Sequence, residues 1–195
     1  MSEILFSATC DEPEGVVVRN VYSFKYSMDN LKLLWEKTKQ FPVLLGHEIQ
    51  TFDDFLRCFI LIDTAGNIMP MGILMIVDDF VGAFILKDID WPREASIHYT
   101  FFDRRHKGRL DLCATAIRYV FDRYNFQKLY TKIPLYAKGS LNFVEKLGLK
   151  KEGRIRNNAL FRGKYYDVNY YGILKEEAKD ALYSSPSPIS NVCRR

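Results

Sequence analysis

Hydrophobic and polar residues follow two different spacings along this chain, and together they predict a mixed α/β fold. The stretch 96–102, Ser-Ile-His-Tyr-Thr-Phe-Phe, is β-branched and aromatic, which is typical of a strand. Over 110–124, apolar residues recur every three or four positions, which predicts an amphipathic helix. The stretch 128–133 again favours a strand. We therefore expect a strand-helix-strand unit over 96–133, with two parallel strands joined by a right-handed crossover.

Several elements are predicted before this unit. Their expected bounds are a strand over 16–24, a helix capped by Asp29 and ended by Pro42, a helix over 51–57, and a β-hairpin of 59–62 with 71–77 around a turn at 64–67. Thr51 with Asp54 three residues later forms a near-capping box. A loop over 87–95 should then lead into the strand at 96–102.

In the C-terminal third, the residue pattern predicts a short helix followed by two strands. Ser140 is suited to cap the helix, whose apolar face carries Leu141, Val144 and Leu147, and Gly148 supplies a left-handed stop. The strands are expected over about 151–161 and 165–174. The organisation is then one α/β domain over 16–182, a loose lead-in over 1–15 and a disordered tail over 183–195.

Composition narrows the class of protein. The 195 residues are 48% hydrophobic and 14% aromatic, enough to fill a sizeable core. The net charge is +4, but 28 basic and 24 acidic residues are interspersed, unlike the basic stripe of a dedicated nucleic-acid binder. Four widely spaced cysteines argue against a disulfide scaffold and favour a reducing cytoplasm. Apolar runs fall short of the ~18–20 residues that span a bilayer, so no membrane association is expected.

A basic loop carries the first functional signal. Residues 104–110, Arg-Arg-His-Lys-Gly-Arg-Leu, lie between the predicted strand and the predicted helix. The first amides of a helix lack partners within it, and the peptide dipoles place partial positive charge there, so an anion such as phosphate is favoured. Taken alone, such a loop is also compatible with a solvated connection.

Two downstream segments resemble a known family. Residues 137–156, AKGSLNFVEKLGLKKEGRIR, are similar to the C-terminal signature of the GNAT superfamily of N-acetyltransferases. Residues 163–177 resemble the final hairpin of the branch that acetylates ribosomal-protein N-termini. The family's loop pattern is Gln or Arg, two residues, Gly, one residue, then Gly or Ala, and Arg105, Gly108 and Leu110 occupy those places. The resemblance is good over about 59–177.

The resemblance implies a GNAT-type fold with a mixed, mostly antiparallel sheet, in which acetyl-CoA lies where two parallel strands diverge. The pyrophosphate would meet the backbone amides of the loop, and the pantetheine arm would pass along the preceding strand. A backbone amide near Phe101 would polarise the acetyl carbonyl. The cofactor-binding residues carried over are Phe101, Phe102, Arg105, His106, Lys107, Gly108, Arg109, Leu110 and Ser140.

Three residues depart from the family pattern. Leu110 replaces a small residue and would either crowd the phosphate or turn into the core. Ala137 replaces the asparagine of an Asn-x-x-Ser motif. Val144 stands where many members carry the tyrosine that protonates the leaving thiolate, and valine cannot donate a proton. A GNAT-like protein without catalysis, with a structural or partner-binding role, is therefore the alternative hypothesis.

Candidates remain for the acid and the base. Ser140 is the first choice as acid or thiol-orienting group, although a helix cap explains it equally well, and Tyr136 is a second donor. His98 has the intrinsic pKa of a general base near neutrality, with Glu94 and Asp103 as alternatives. No residue spacing indicates a metal site around His47 or His106.

Other polar groups bear on the acceptor. The expected acceptor is a primary amine, either a protein N-terminus or a lysine, by resemblance to the ribosomal branch. Tyrosines of the last hairpin could line an acceptor groove or simply cover the core; they are Tyr165, Tyr166, Tyr170 and Tyr171. Asp167 is expected to pair with Arg154 or Arg156. The basic loop also suggests a weak contact with RNA or the ribosome.

Overall fold

The computed structural model describes residues 21–24, 26–40, 49–77, 81–103 and 105–178. The lead-in 1–15, the first part of the predicted strand 16–24, Pro42, His47 and the tail 183–195 therefore lie outside the described residues.

Within the described residues, seven strands form one sheet in the order β1-β4-β5-β6-β7-β9-β8, and β2 with β3 forms a separate pair. The strands are β1 Val21–Ser23, β2 Ile60–Ile62, β3 Ile68–Pro70, β4 Ile73–Val77, β5 Gly82–Asp90, β6 Glu94–Phe101, β7 Lys128–Pro134, β8 Lys150–Phe161 and β9 Lys164–Leu174. The helices are α1 Met28–Thr38, α2 Phe52–Arg57, α3 Arg109–Tyr124 and α4 Lys138–Lys146. Among the strands that the structure describes, β6 and β7 are parallel, and all other pairs are antiparallel. The predicted fold class and the parallel β6-α3-β7 unit are confirmed.

Helices cover the two faces of the sheet unequally. On one face, α3 and α4 pack against β4 to β7 and β9 around Ile97, Ile117 and Leu129, all nearly inaccessible to solvent. On the other face, α1 and α2 cover the β4–β5 end around Leu31, Phe55 and Leu74. Because side chains alternate along a strand, β6 sends Ile97, Tyr99 and Phe101 toward α3 and α4 and sends its even-numbered residues to the opposite side.

Capping explains where the N-terminal helices start. Ser27, not the predicted Asp29, caps α1, because its hydroxyl accepts from the Asn30 amide at 3.3 Å and leaves Asp29 in the first turn. The prediction for α2 is confirmed. The Thr51 hydroxyl accepts from the Asp54 amide at 3.1 Å, and the Asp54 carboxylate accepts from the Thr51 amide at 3.0 Å.

Two predictions before β6 are wrong. The segment 71–77 does not return to β2: residues 68–70 pair with β2, and β4 pairs with β1 and β5 instead. The predicted loop 87–95 is largely strand, because β5 continues to Asp90 and β6 begins at Glu94. A three-residue turn with a cis Trp91–Pro92 bond joins them. Turn-forming residues there mark a tight reversal rather than a long loop.

The last hairpin follows the prediction closely. Arg162 and Gly163 both adopt positive φ, at 50° and 73°, which matches the right-handed twist of the flanking strands in a two-residue turn. The expected ion pair forms between Arg154 and Asp167, with a nitrogen–oxygen distance of 2.6 Å. Tyr171 is buried in the core, while Tyr165 is exposed. The four tyrosines therefore do not form one continuous lining.

Gly72 makes a close approach that can be tested. A Cβ atom added there would lie 2.2 Å from the backbone oxygen of Leu86 on β5. We expect Gly72→Ala to lower the free energy of unfolding by roughly 1–3 kcal/mol, since neighbouring backbone cannot yield without distortion. Gly153→Ala is the matched control, because nothing lies within 4 Å of its added Cβ. Urea denaturation of both variants measures the difference, and equal losses would contradict the proposed packing constraint.

Candidate active site

The parallel strands β6 and β7 part shortly after they meet. Their pairing consists of Glu94 with Lys128, Ala95 with Leu129 and Ser96 with Tyr130. Beyond this point β6 remains bonded to β5 as far as Phe101, and β7 remains bonded to β9 as far as Pro134. A wedge-shaped opening therefore separates two strands whose other edges are held in the sheet.

Backbone groups of β6 point into this opening. The Phe102 amide donates to the Val81 carbonyl at 2.8 Å, on the β5 side. Backbone groups alternate in direction along a strand, so the amides of Tyr99 and Phe101 point away from β5 and toward β7. On β7, the Leu135 amide donates to the Asp167 carbonyl of β9 at 2.9 Å. Because backbone groups alternate, the backbone groups of Lys132 and Pro134 face the other way, toward the opening. Proline is tolerated there because the nitrogen of Pro134 points away from β9 and toward the opening, beyond the last described pair of β6 with β7.

The loop that follows β6 ends at the N-terminus of α3. Gly108 is the N-cap, with φ at 86° and no side-chain cap bond. The first bond of α3 runs from the Leu112 amide to the Gly108 carbonyl at 3.0 Å, so the amides of residues 109–111 have no partner within the helix. These amides and the helix dipole make this end of α3 suited to an anion.

Side chains of the loop have distinct roles. Asp103 shapes the turn, because its carboxylate accepts from the Arg105 amide at 2.8 Å. The His106 amide already donates to the Asp103 carbonyl at 3.4 Å. Arg105 and Lys107 are exposed, and the Arg109 guanidinium lies 5.9 Å from the centre of the Phe101 ring. Arg105, Lys107 and Arg109 therefore place positive charge near the amides of the α3 N-terminus, whose first turn also carries the acidic Asp111.

The three departures from the family pattern have separate structural settings. Leu110 packs against the main core, so its side chain turns inward rather than toward the loop. Val144 is fully buried in the same core. Ala137 is the N-cap of α4 and provides no side-chain cap bond. Leu110 and Val144 thus serve packing.

Ser140 is not the N-cap that we predicted. Helix α4 begins two residues earlier, at Lys138, and the Ser140 amide donates to the Ala137 carbonyl at 2.9 Å within the first turn. The hydroxyl, free of the capping role, faces Tyr99 and acts to lower the pKa of Tyr99, whereas burial raises that pKa more strongly. Sequence reasoning missed Tyr99, although it lies two residues before Phe101 and so shares its side of β6.

His98 lies on the opposite side of β6, on the face of the sheet that α1 and α2 cover at its β4–β5 end. We call this area the polar face and define it by Ser96, His98, Tyr130, Lys132 and Tyr170. The buried Ser96 hydroxyl lies 3.1 Å from Nε2 of His98, and the rings of Tyr130 and Tyr170 stack with centres 4.9 Å apart. Ser96 was also missed, although it precedes His98 by the strand period of two.

The remaining predicted residues lie elsewhere. Phe102 packs against the second core, on the opposite side from Phe101. Glu94 stands at the paired end of β6, 3.8 Å from Arg93. Tyr136 stacks on Phe161 with ring centres 4.4 Å apart, so its surroundings are those of a packing residue. The described part of the chain holds no group of three or more His, Cys, Asp or Glu side chains arranged for a metal ion.

Comparison with known proteins identifies the family. Residues 40–170, well over half of the chain, match the family model described as an acetyltransferase (GNAT) domain. The chain belongs to the GNAT family. A relative, the SPbeta prophage-derived uncharacterized N-acetyltransferase YokL of Bacillus subtilis, is 31% identical over 103 residues, which are 51% of this chain and 58% of that protein. The chain thus spans somewhat over half the length of that relative.

Solved GNAT structures share the fold. An acetyltransferase of the GNAT family from Bacillus anthracis superposes with a TM-score of 0.62 at 17% identity, covering 81% of this chain and 96% of that one. Spermidine N-acetyltransferase from Vibrio cholerae in complex with CoA and spermine superposes with a TM-score of 0.60 at 17% identity, covering 82% and 98%. Among the described residues of this GNAT protein, no helix is long and apolar enough to cross a membrane.

The setting of His98 predicts a pH profile. Loss of hydration and the nearby Lys87 and Lys132 lower the pKa of His98 below 6.5, against a weaker opposing effect of Asp88. If His98 is the base, acetyl transfer depends on the neutral ring, so kcat/KM should stay flat above pH 6.5 and fall as the pH drops through the lowered pKa. His98→Gln should remove this acidic limb and cost about 10²–10⁴-fold in kcat. If His98→Gln keeps both the kcat of the natural protein and the acidic limb of its pH profile, His98 is not the base.

Proposed function

We propose that this protein transfers an acetyl group from acetyl-CoA to a primary amine. The observation that carries the proposal is the parting of β6 from β7 after three residue pairs, on a strand that leads into a basic loop and an α3 N-terminus without a side-chain cap bond. This arrangement offers an extended cofactor two things at once: unpaired strand edges for its arm and amides for its phosphates. Membership of the GNAT family supports the same reaction.

The backbone would position the cofactor. The pyrophosphate would accept hydrogen bonds from amides of residues 108–111, with Arg109 adding charge, and the pantetheine arm would follow the free edge of β6. The acetyl oxygen would accept from the amide of Tyr99 or Phe101. Both amides are fixed by the sheet, so they can stabilise the developing oxyanion without reorganisation. Most of the rate would come from holding the thioester and the amine together.

The amine would approach from the polar face, where His98 lies. Neutral His98 would take the proton that the attacking nitrogen loses, directly or through one water molecule. The Ser96 contact would hold the ring in place and define which nitrogen carries the proton. The lowered pKa favours this role, because it keeps the imidazole neutral at physiological pH.

We propose a protein N-terminus or a lysine side chain as the acceptor. Residues 163–177 support a peptide acceptor through their resemblance to the branch that acetylates ribosomal proteins. The polar face also carries carboxylates near the stacked tyrosines, since Glu94 and Glu152 both act to raise the pKa of Tyr170. Glu152 already pairs with Lys128 at 2.5 Å and Glu94 lies 3.8 Å from Arg93, so an ammonium group of the acceptor would exchange with these cations. A polyamine, such as that acetylated by the spermidine N-acetyltransferases, is the competing acceptor.

The two cysteines that the structure describes, Cys58 and Cys113, are free thiols. Burial raises the pKa of the Cys113 thiol to about 12, which keeps it protonated and unreactive. We propose on this basis that the protein works in a reducing cytoplasm.

Cofactor binding is the first test. Isothermal titration with acetyl-CoA should give saturable binding to the natural protein. Gly108→Glu should abolish it, because the substitution adds a negative charge beside the phosphates and strains a residue with φ at 86°. Gly153→Ala serves as the control variant and should bind normally. Absence of binding at millimolar acetyl-CoA would reject the enzyme and favour a non-catalytic, partner-binding role.

The acceptor can be separated by class. We expect thiol release from acetyl-CoA with peptides that carry a free N-terminus, or with N-terminally blocked peptides that carry one lysine. Spermidine should support at least tenfold lower kcat/KM than the better peptide. The reverse order would keep the acetyltransferase and replace its acceptor with a polyamine.

A further inference from the structure

Tyr99 presents a hydroxyl that the fold itself does not use. Its oxygen is buried and makes no hydrogen bond of ordinary length and angle with any of the described residues. An unsatisfied buried hydroxyl is costly to a protein, and such groups in native structures mark a ligand, a water molecule or a catalytic role. The position of this hydroxyl indicates which of these applies.

The Tyr99 side chain lies beside the opening between the strands, on the side of the sheet covered by α3 and α4. It starts on β6, three residues beyond the last pair with β7, and leans toward the helix that follows β7. Its ring lies 4.9 Å from the ring of Phe143 on α4, and its hydroxyl faces Ser140 in the first turn of that helix. A thioester lying along the free edge of β6 would therefore pass beneath this hydroxyl.

We propose that Tyr99 is a catalytic residue that donates a hydrogen bond to the sulfur of CoA as the acetyl group leaves. The inference rests on the proposed function, since it requires acetyl-CoA in the opening. It supplies the donor that valine at position 144 cannot provide, from a strand rather than from α4. Ser140, in the first turn of α4, faces the Tyr99 hydroxyl and would orient it.

Acetyl transfer forms one carbon–nitrogen bond and breaks one carbon–sulfur bond. The lone pair of the amine nitrogen forms the new bond to the acetyl carbon, and the electron pair of the breaking carbon–sulfur bond passes to sulfur. The amine proton goes to His98 or to water, and the Tyr99 hydroxyl stabilises the sulfur that carries the new charge. Burial and the nearby Cys113 raise the pKa of Tyr99, so the hydroxyl keeps its proton and acts as a donor throughout.

The proposal predicts a property of bound CoA that does not depend on the acceptor. A hydrogen bond to the thiolate favours the charged form and lowers the thiol pKa of bound CoA below that of free CoA. We expect Tyr99→Phe to raise the bound thiol pKa by about one unit, the size expected for losing one hydrogen bond to a charged group. The measurement is 13C NMR of CoA labelled at the carbon that bears sulfur, titrated with pH.

Tyr119→Phe is the matched control, because it removes a partly buried tyrosine hydroxyl on α3, outside the opening, and it should leave the thiol pKa unchanged. Tyr99→Phe should melt at the same temperature as the natural protein or higher, since it deletes an unsatisfied hydroxyl. If it does not fold, 3-fluorotyrosine at position 99 provides a stronger donor and should lower the bound thiol pKa further.

The outcomes separate the two proposals. If CoA binds to the natural protein and to Tyr99→Phe with the same thiol pKa, Tyr99 is not the donor, while the acetyltransferase remains. If Ser140→Ala alone moves the thiol pKa, Ser140 is the donor and the assignment of Tyr99 is wrong. If CoA does not bind to the natural protein, both the proposed function and the proposed role of Tyr99 are wrong.

Discussion

The separation of two parallel strands is the constraint on which the rest of the structure depends. Strands β6 and β7 share only three residue pairs, yet each is anchored along its other edge, to β5 and to β9. The opening is therefore held by antiparallel ladders on both sides and does not need a ligand to exist. Because the strand edges are rigid, backbone amides can act as fixed dipoles, and pre-formed dipoles are the most effective stabilisers of developing charge.

Sequence periodicity predicted the central unit because its signals are local. The 3.6-residue pattern of α3 and the β-branched runs of β6 and β7 each specify their own secondary structure, and the crossover rule then relates them. The end of β5, which was predicted as part of the loop 87–95, and the partner of β2 were misassigned for the opposite reason. Strand pairing is a long-range property, and Asp88, Trp91 and Pro92 mark a reversal without fixing its length.

In the candidate site, too, residues with local sequence signals could be predicted, and residues whose role depends on distant neighbours could not. The place of Gly108 and the basic loop before α3 could be predicted because a glycine ahead of an amphipathic helix leaves a sequence pattern, and their part in binding phosphate stays a prediction. Ser140 was misjudged as a cap because serine favours that position, whereas Ala137 caps α4 instead. Tyr99 was missed because its role depends on an unsatisfied atom, which requires knowledge of neighbours from β6 and α4 together. Burial and partners, unlike propensities, cannot be read from one segment.

Pro134 prevents β6 and β7 from pairing along their full length. Two facing strands with unpaired amides and carbonyls tend to form hydrogen bonds with each other, and such pairing would close the opening. Proline at a β7 position that faces β6 removes the donor that such a closed ladder would need. The opening is thus maintained by the amino-acid sequence itself. With or without a ligand, β6 and β7 cannot form a complete hydrogen-bond ladder at this position.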